Sequence, residues 1–260
     1  MLTALLLVAA ALPLTLAQNL FQGRGTSHSF DHGKGNCGFT TLPQWGNYVA
    51  MNGAQWNGGL SCSACVNVRC VDPICKNHFS QTAYVIDSCK GCKYGSLDLA
   101  NNLFDSITGL SWTDVAIEWS WVDCPVDNNN INFCLNKGAN PSWYAIQPLH
   151  GRQSVRYVKI NGFSTSQVGD TYFFLANANG QQVPLNNVKV ELTFWDWSVL
   201  TKYVSLQPGQ CTNGQWLQSF TNTDEDLELA QNATEPLFND PTPAVTTPSP
   251  APLNKIDNQV

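Results

Sequence analysis

Charged residues are scarce in this chain of 260 residues, because only 12% are Asp, Glu, Lys or Arg. That fraction is about half of the usual ~25%, which argues against a solvated helical protein and against long disordered stretches in the body. The formal net charge of −6 argues against nucleic acid as a partner, since proteins that bind duplexes carry a basic footprint. Beyond the N-terminus no stretch approaches the ~20 consecutive apolar residues that span a bilayer, so no membrane partner is expected.

The first 17 residues form the one long apolar run. They carry no charged side chain and end in Leu-Thr-Leu-Ala, which predicts a signal peptide cleaved after Ala17. Pro13 and the marginal length argue against a membrane anchor. All ten cysteines lie beyond this run, and an even number in a secreted chain favours disulfides. The sequence therefore predicts a secreted, extracellular protein.

The cysteines divide the chain unequally. Nine lie between 37 and 134, while Cys211 stands alone, which favours two domains with different covalent support. Asp127-Asn-Asn-Asn130 has turn composition. We therefore predict domains at 18–127 and 133–212, joined by a linker at 128–132.

The residues after the second domain differ in composition. They are rich in Thr, Pro and Ser, which predicts a disordered tail over 213–260. Asn232-Ala-Thr234 is a glycosylation sequon in this tail. Seven acids and one base between 221 and 260 account for the whole net charge, so the body is neutral: 18–127 carries −3 and 133–212 carries +3.

Alternation of apolar and polar residues dominates both halves and predicts β-strands. The predicted strands include Cys65–Cys70, Ala83–Ile86, 115–121, Val155–Ile160, 188–195 and 203–206. One helix is predicted around Leu99–Ile107, with Asp98 capping its start and Gly109 following its end. The fold class is therefore all-β with one minor helix.

Metal and nucleophilic chemistry have little support. Cys62-x-x-Cys65 and Cys89-x-x-Cys92 could supply four thiolates to zinc, but paired oxidation fits a secreted chain better. The four histidines are scattered, and no Gly-x-Ser-x-Gly nucleophile motif occurs. We expect neither a metal nor another cofactor.

Two carboxylates are the more informative candidates. Asp87 follows a predicted strand, and Asp98 stands eleven residues later at the predicted helix start, an arrangement that can bring both to one side of a small barrel. Structural roles compete with this interpretation, because Asp98 could simply cap the helix and Asp87 could accept bonds in an Asx-turn.

Several motifs resemble the two domains of expansins. GRGTSHSF, GNCGF, CSACVNVRC, AYVIDSC and KYGSLDLANNLF are similar to the first domain, while NPSWYAIQP and TYFFLANANG resemble the second domain of microbial expansin-like proteins. The resemblance covers roughly 18–211. It implies a six-stranded double-psi β-barrel followed by an immunoglobulin-like β-sandwich, in a protein that binds cellulose and matrix glucans and loosens their contacts without hydrolysis. Nothing in the sequence suggests an oligomer, so we expect a monomer.

The resemblance also implies site residues. Thr26, Asp87 and Asp98 fall on polar positions of the expansin groove. Two departures stand beside them: Cys89 replaces a tyrosine of bacterial relatives, and Ser96-Leu97-Asp98 replaces a plant His-Phe-Asp.

For the second domain, the resemblance implies an aromatic cellulose-binding platform that includes Trp143 and Tyr172. Ser142 occupies the preceding platform position, which departs from the family pattern, and Tyr144 could substitute for it. Successive strand residues face opposite ways, which favours Trp143 outside. Trp195 could be a further stacking position or an inter-domain contact.

Disulfide pairs follow from the same resemblance. It implies Cys37–Cys62, Cys65–Cys124 and Cys70–Cys75, which leaves Cys89–Cys92 and Cys134–Cys211.

Two other functions stay open. A hydrolase similar to family 45 endoglucanases would use Asp98 as acid and Asp31 as base, but Asp31 lies five residues after Thr26 rather than four. A plain carbohydrate-binding barrel of the barwin kind would lack the second domain.

Overall fold

The computed structural model of the chain describes residues 19–30, 35–44, 46–126 and 131–214. The predicted signal peptide, Asp31, most of the predicted tail and the sequon at Asn232 lie outside the described residues. Among the described residues, no helix is both long and apolar enough to cross a membrane.

The first half of the chain closes into a six-stranded barrel with strands of mixed direction. Its strands are β1 (Phe21–His28), β2 (Tyr48–Asn52), β3 (Cys65–Cys70), β4 (Gln81–Cys89), β5 (Leu97–Ala100) and β6 (Asp114–Val122). Their order around the barrel is β1-β5-β2-β4-β3-β6, and β6 pairs with β1 to close it. The pairs β1–β5 and β2–β4 are parallel, whereas the others are antiparallel.

Apolar side chains that alternate along these strands fill the barrel. On β6, Val115, Ile117 and Trp119 are buried, as the alternation predicts. Leu97 and Leu99 of β5 are also fully buried, so the residue between them projects to the outer surface of the barrel. The barrel core thereby fixes which side chains of β5 can reach a ligand.

The helix α1 (Asn101–Thr108) begins later than predicted. Ala100 occupies its N-cap position, and no side chain caps the helix start. Asp98 is therefore not the cap; it lies inside β5, because strand pairing with β1 and β2 extends to Leu99 and Ala100. Gly109 ends the helix in the left-handed conformation, as predicted.

The second half forms an antiparallel sheet of eight strands. They are β7 (Asn132–Leu135), β8 (Ala145–Leu149), β9 (Val155–Ile160), β10 (Phe163–Gln167), β11 (Phe174–Ala176), β12 (Val188–Phe194), β13 (Val199–Val204) and β14 (Cys211–Asn213). The start of β10 pairs with β9 and its end pairs with β11. Strand β10 therefore belongs to a four-strand group with β9, β12 and β13 and to a five-strand group with β7, β8, β11 and β14. Strands that switch in this way connect the layers of a β-sandwich.

Five disulfides support the fold: Cys37–Cys62, Cys65–Cys124, Cys70–Cys75, Cys89–Cys92 and Cys134–Cys211. The first three are the pairs that the resemblance implied, the last two are the pairs that it left over, and together they include all ten cysteines. The two Cys-x-x-Cys motifs are thus divided among three disulfides, so their sulfurs are not available together as zinc thiolates. Cys134–Cys211 joins residues 77 positions apart and closes nearly the whole second unit.

The two units share buried polar contacts. The side chain of Gln147 on β8 accepts a bond from the Thr40 amide at 2.8 Å and donates to the carbonyls of Cys37 and Gly38. Ser154 donates from the second unit to the Leu60 carbonyl at 2.8 Å. Buried polar groups need such partners, so these bonds specify one mutual position of the units.

Candidate functional site

A row of four residues, three of them polar, crosses four neighbouring strands of the barrel. Strand register pairs Asp87 of β4 with Ala50 of β2, Ala50 with Asp98 of β5, and Asp98 with Thr26 of β1. Side chains directly opposite one another on paired strands share a face. The register therefore brings together all three groove residues that the sequence predicted.

Asp98 and Thr26 form the centre of this row. The Thr26 hydroxyl donates a hydrogen bond to Oδ1 of Asp98. Both side chains are half-buried, and the buried Leu97 and Leu99 on either side direct Asp98 outward. The hydroxyl holds one carboxylate oxygen, which leaves the other oxygen for an incoming donor.

Asp87 is placed by a β-bulge. The register between β2 and β4 shifts at Ile86, so that Ala50 lies opposite Asp87, and bulges of this kind redirect a side chain. Oδ1 of Asp87 accepts from the amides of Asn36 at 2.7 Å and Ser88 at 2.8 Å. The same carboxylate therefore anchors the loop at Asn36. Among the described residues, no hydrogen bond reaches its Oδ2.

Ala50 lies between the two carboxylates, and sequence analysis did not select it. Two strand spacings separate the Cα atoms of Asp87 and Asp98 by about 10 Å, and Ala50 fills the interval with a methyl group that is 3% exposed. A larger residue here would raise the floor between the carboxylates. No sequence pattern marks Ala50, because Val49, Ala50 and Met51 are all apolar and all buried.

The Cys89–Cys92 disulfide borders the row. A sulfur of each cysteine and a carboxylate oxygen of Asp98 all lie within 4.8 Å of one another. Cysteine and aspartate can ligate metals, but thiolate is the ligating form of cysteine, and these two sulfurs are bonded to each other. The disulfide therefore forms one wall of the groove and places polarisable sulfur atoms next to Asp98.

Two of the three predicted platform aromatics are in the core, which corrects the sequence prediction. Tyr172 is 0% exposed, its ring packs edge-on against Phe39 and Phe174, and its hydroxyl accepts from the Val155 amide at 2.7 Å. Burial raises the pKa of Tyr172. Tyr144 is 1% exposed. Neither ring can stack on a polysaccharide, because each packs inside the protein.

Trp143 is half-buried and lies at the surface end of a tight turn. Its amide and carbonyl both pair with Asn140, and the Asn140 side chain also accepts from its amide. Trp143 is the more exposed of the neighbouring pair Trp143 and Tyr144, as expected, although both residues precede β8 and lie outside the strands. It stays a candidate stacking residue.

Trp195 forms a contact close to the junction of the units. Its indole Nε1 donates to the Ser154 hydroxyl at 3.0 Å, and that hydroxyl donates to Leu60 of the barrel. With 9% exposure, Trp195 is buried next to this junction. Asp31, the candidate base of a hydrolase, lies outside the described residues.

Comparisons with known proteins give a consistent result. No protein-family model matches the chain. Among curated proteins, the chain is 28% identical over 125 residues to Expansin-B3 of Arabidopsis thaliana and 27% identical over 127 residues to Expansin-B16 of Oryza sativa subsp. japonica. Each match covers 43% of this chain and 47% of the relative, so the chain spans about half the length of the curated relatives it matches.

A solved structure matches over more of the chain. The apo crystal structure of an expansin from Clavibacter michiganensis superimposes with a TM-score of 0.65 and 19% identity, over 79% of this chain and 100% of that one. A mutant of an expansin from the same organism, solved in complex with cellohexaose, gives a TM-score of 0.64. These similarities show that the barrel and the sheet have the expansin fold, which confirms the predicted fold class.

Proposed function

We propose that this chain, which is expansin-like in sequence and fold, is a secreted protein that binds a β-glucan chain along the row from Asp87 to Thr26. The observation that carries the proposal is the register that aligns Asp87, Ala50, Asp98 and Thr26 on one outer face of the barrel. A flat polysaccharide presents hydroxyl donors at intervals, and this row presents two spaced carboxylate acceptors to meet them.

Carboxylates suit this task because hydrogen bonds to charged groups are the stronger ones. The Thr26 hydroxyl binds one oxygen of Asp98, and the backbone amides of Asn36 and Ser88 bind one oxygen of Asp87. These bonds fix the orientation of both carboxylates. A fixed acceptor loses little conformational freedom when a ligand binds. Ala50 separates the two carboxylates with a small side chain.

Loosening without hydrolysis is the second part of the proposal. Inverting hydrolysis needs a base that activates water opposite the acid. Asp87 has one oxygen bound by two backbone amides, so its carboxylate serves first as an anchor for the Asn36 loop. Asp98 could then compete for the hydroxyls that hold neighbouring glucan chains together. Without a second carboxylate acting as a base, no water would be activated to attack the glucan.

The second unit would supply attachment. Trp143 offers a partly exposed indole, and aromatic faces pack well against the apolar C–H faces of sugars. The polar junction through Gln147 and Ser154 would keep this ring in a constant position relative to the barrel row. The disulfides and the expansin fold support extracellular action, where thiols remain oxidised.

Binding of cellohexaose to the purified full chain, measured by calorimetry, tests the proposal. Asp98→Asn should weaken binding about tenfold, the equivalent of one charge-assisted hydrogen bond. Asp87→Asn should weaken it as well. Asp105→Asn is the matched control, since Asp105 is an exposed carboxylate on α1, away from the row, and its change should leave affinity unaltered. Equal affinity of the wild type, the Asp98 variant and the Asp87 variant would refute the binding row.

A further inference from the structure

A bulge in β9 builds a second cluster on the other unit. The register between β12 and β9 shifts so that Thr193 pairs with Tyr157 and Phe194 with Val155, which leaves Arg156 as the extra residue. Alternation would send Arg156 and Tyr157 to opposite faces, but both escape the core, with Arg156 half-buried and Tyr157 exposed. Bulges that re-aim side chains in this way are frequent next to binding sites.

Three aromatic rings surround the Arg156 guanidinium. Its central carbon lies 4.3 Å from the ring centroid of Trp197, 5.0 Å from that of Trp195 and 5.4 Å from that of Tyr157. Each distance is within the range of cation–π attraction. A guanidinium can stack through its two faces and still donate hydrogen bonds from its edge.

The outer rings are accessible. Tyr157 is 52% exposed, and its ring centroid lies 6.3 Å from that of Trp197 at an interplanar angle of 38°. Trp197 adopts a left-handed backbone with φ of 64° in the turn between β12 and β13. A bulky residue seldom takes that conformation, and here it brings the indole over Arg156.

A cleft adjoins this cluster. Its volume is about 270 Å³, and it is lined by Arg156, Tyr157, Lys159, Ser164 and Gln167 of the second unit together with Leu60 of the barrel and three other residues, none of them acidic. Two nearby acids have cationic partners other than the cleft residues: Glu191, which lies opposite Lys159 in the strand register, pairs with Lys189 at 3.2 Å, and Asp196 pairs with Arg152 at 3.7 Å. The cleft therefore presents two cations, Arg156 and Lys159, with no lining carboxylate.

We infer that this cleft and cluster bind an acidic polysaccharide, a chain of uronate sugars, at a site separate from the barrel row. The Tyr157 ring would stack on the C–H face of one sugar, while the Arg156 edge and Lys159 would bind uronate carboxylates. Ser164 and Gln167 would meet hydroxyls. A neutral glucan could use the ring but would gain nothing from the two cations.

Affinity for decagalacturonate, measured with the full chain in low-salt buffer, tests this inference. Arg156→Gln and Tyr157→Ala should each weaken binding about tenfold, as the loss of a charge-assisted bond or a stacking contact would. Arg156→Lys keeps the charge but loses the planar guanidinium with its several N–H donors, so it should give an intermediate affinity. The same variant shows whether the protein folds normally with another residue at position 156. All variants should bind cellohexaose as the wild type does.

Two matched controls separate a built site from general attraction. Lys137→Gln removes one exposed cation outside the cleft, and Tyr203→Ala removes a 65% exposed ring from β13. Neither should weaken decagalacturonate binding by more than about twofold, the size of a surface effect. The inference is overturned if these controls lose as much affinity as the cluster variants, if the cluster variants lose none, or if the fully methyl-esterified oligomer binds equally well. Loss of cellohexaose binding in Asp98→Asn bears only on the barrel row.

Discussion

At the scale of single residues, burial determines which of the conspicuous side chains can meet a ligand. Tyr172 and Tyr144 have the residue type of a stacking platform but pack inside the protein, whereas Trp143 and Tyr157 reach the surface. Trp143 and Tyr144 differ in burial as expected for successive residues, although both precede β8 and lie outside the strands. Strand alternation could not place Tyr172, because this residue lies in the loop before β11. Its amide donates to the Cys37 carbonyl of the other unit.

His150 gives a residue-scale prediction about acid sensitivity. Burial lowers the pKa of His150, and its Nδ1 lies 3.1 Å from the Asn132 side-chain nitrogen, which fits a neutral ring. The unfolded chain then binds a proton at a higher pH than the folded chain does. The free energy of unfolding should therefore fall as the pH drops below about 6.5, with a slope from this group of at most about 1.4 kcal/mol per pH unit.

Urea unfolding between pH 7.5 and 5.5 measures this slope. His150→Asn should flatten it, because Asn tolerates the left-handed backbone that His150 adopts (φ 61°) and does not titrate. His78→Asn, a change at an exposed histidine, should keep the slope of the wild type. An unchanged slope in the His150 variant would contradict the assignment.

At the scale of elements, register explains the site. The motifs around Thr26, Asp87 and Asp98 could be recognised in the sequence, and alternation predicted strands such as Cys65–Cys70 and Val155–Ile160 that the structure contains. Pairing between distant strands leaves no local pattern. The parallel pairing of β1 with β5 extends the strand through Asp98 to Ala100, which is why a local cap signal gave the helix start too early.

The bulges at Ile86 and Arg156 could not be predicted for the same reason. Each depends on a mismatch between two strands that are far apart in sequence, and neither contains the glycine that often marks a bulge. One bulge aligns Asp87 with the row, and the other exposes Arg156 beside Tyr157. The residues of the proposed second site are therefore present in the sequence without a pattern that places them on one face.

Gly23 provides a prediction for the barrel strands. A Cβ on Gly23 would overlap the Gly95 carbonyl and the Ser96 amide, just before Asp98, and the same carbonyl accepts from the buried Trp119 indole at 2.8 Å. Gly23→Ala should lower the free energy of unfolding by about 1–3 kcal/mol, as overpacking does. Chemical denaturation measures the change. Gly91→Ala, where nothing lies within 4 Å, is the control and should leave stability nearly unchanged; equal effects would contradict the close approach.

At the scale of the whole molecule, the units are joined by polar groups as well as rings. Gln147 connects β8 to the Thr40 amide and the Cys37 carbonyl, and that carbonyl also accepts from the Tyr172 amide at 3.0 Å. Phe39 of the barrel packs against Tyr172. This junction should make the barrel and the sheet unfold together, and it would hold the barrel row and Trp143 at a constant separation on one polymer.

Gln147→Leu tests the junction. Leu is similar in size but leaves the Thr40 amide without its partner, and an unpaired buried group costs about 1–3 kcal/mol. Calorimetry should show one transition for the wild type and a lower midpoint, with separation into two transitions, for the variant. Gln207→Leu, at an exposed position, should behave like the wild type. A Gln147 variant with an unaltered single transition would show that the units are not coupled through this side chain.

In the proposed function, the barrel row weakens contacts between glucan chains without cleaving them. The direct test measures reducing-sugar release from soluble and amorphous cellulose alongside the mechanical strength of cellulose paper, for the wild type and for Asp98→Asn. We predict that the wild type weakens paper without sustained sugar release, and that Asp98→Asn loses the weakening while its unfolding midpoint is retained. Sustained sugar release by the wild type, abolished by Asp31→Asn, would contradict the claim and identify the chain as a hydrolase.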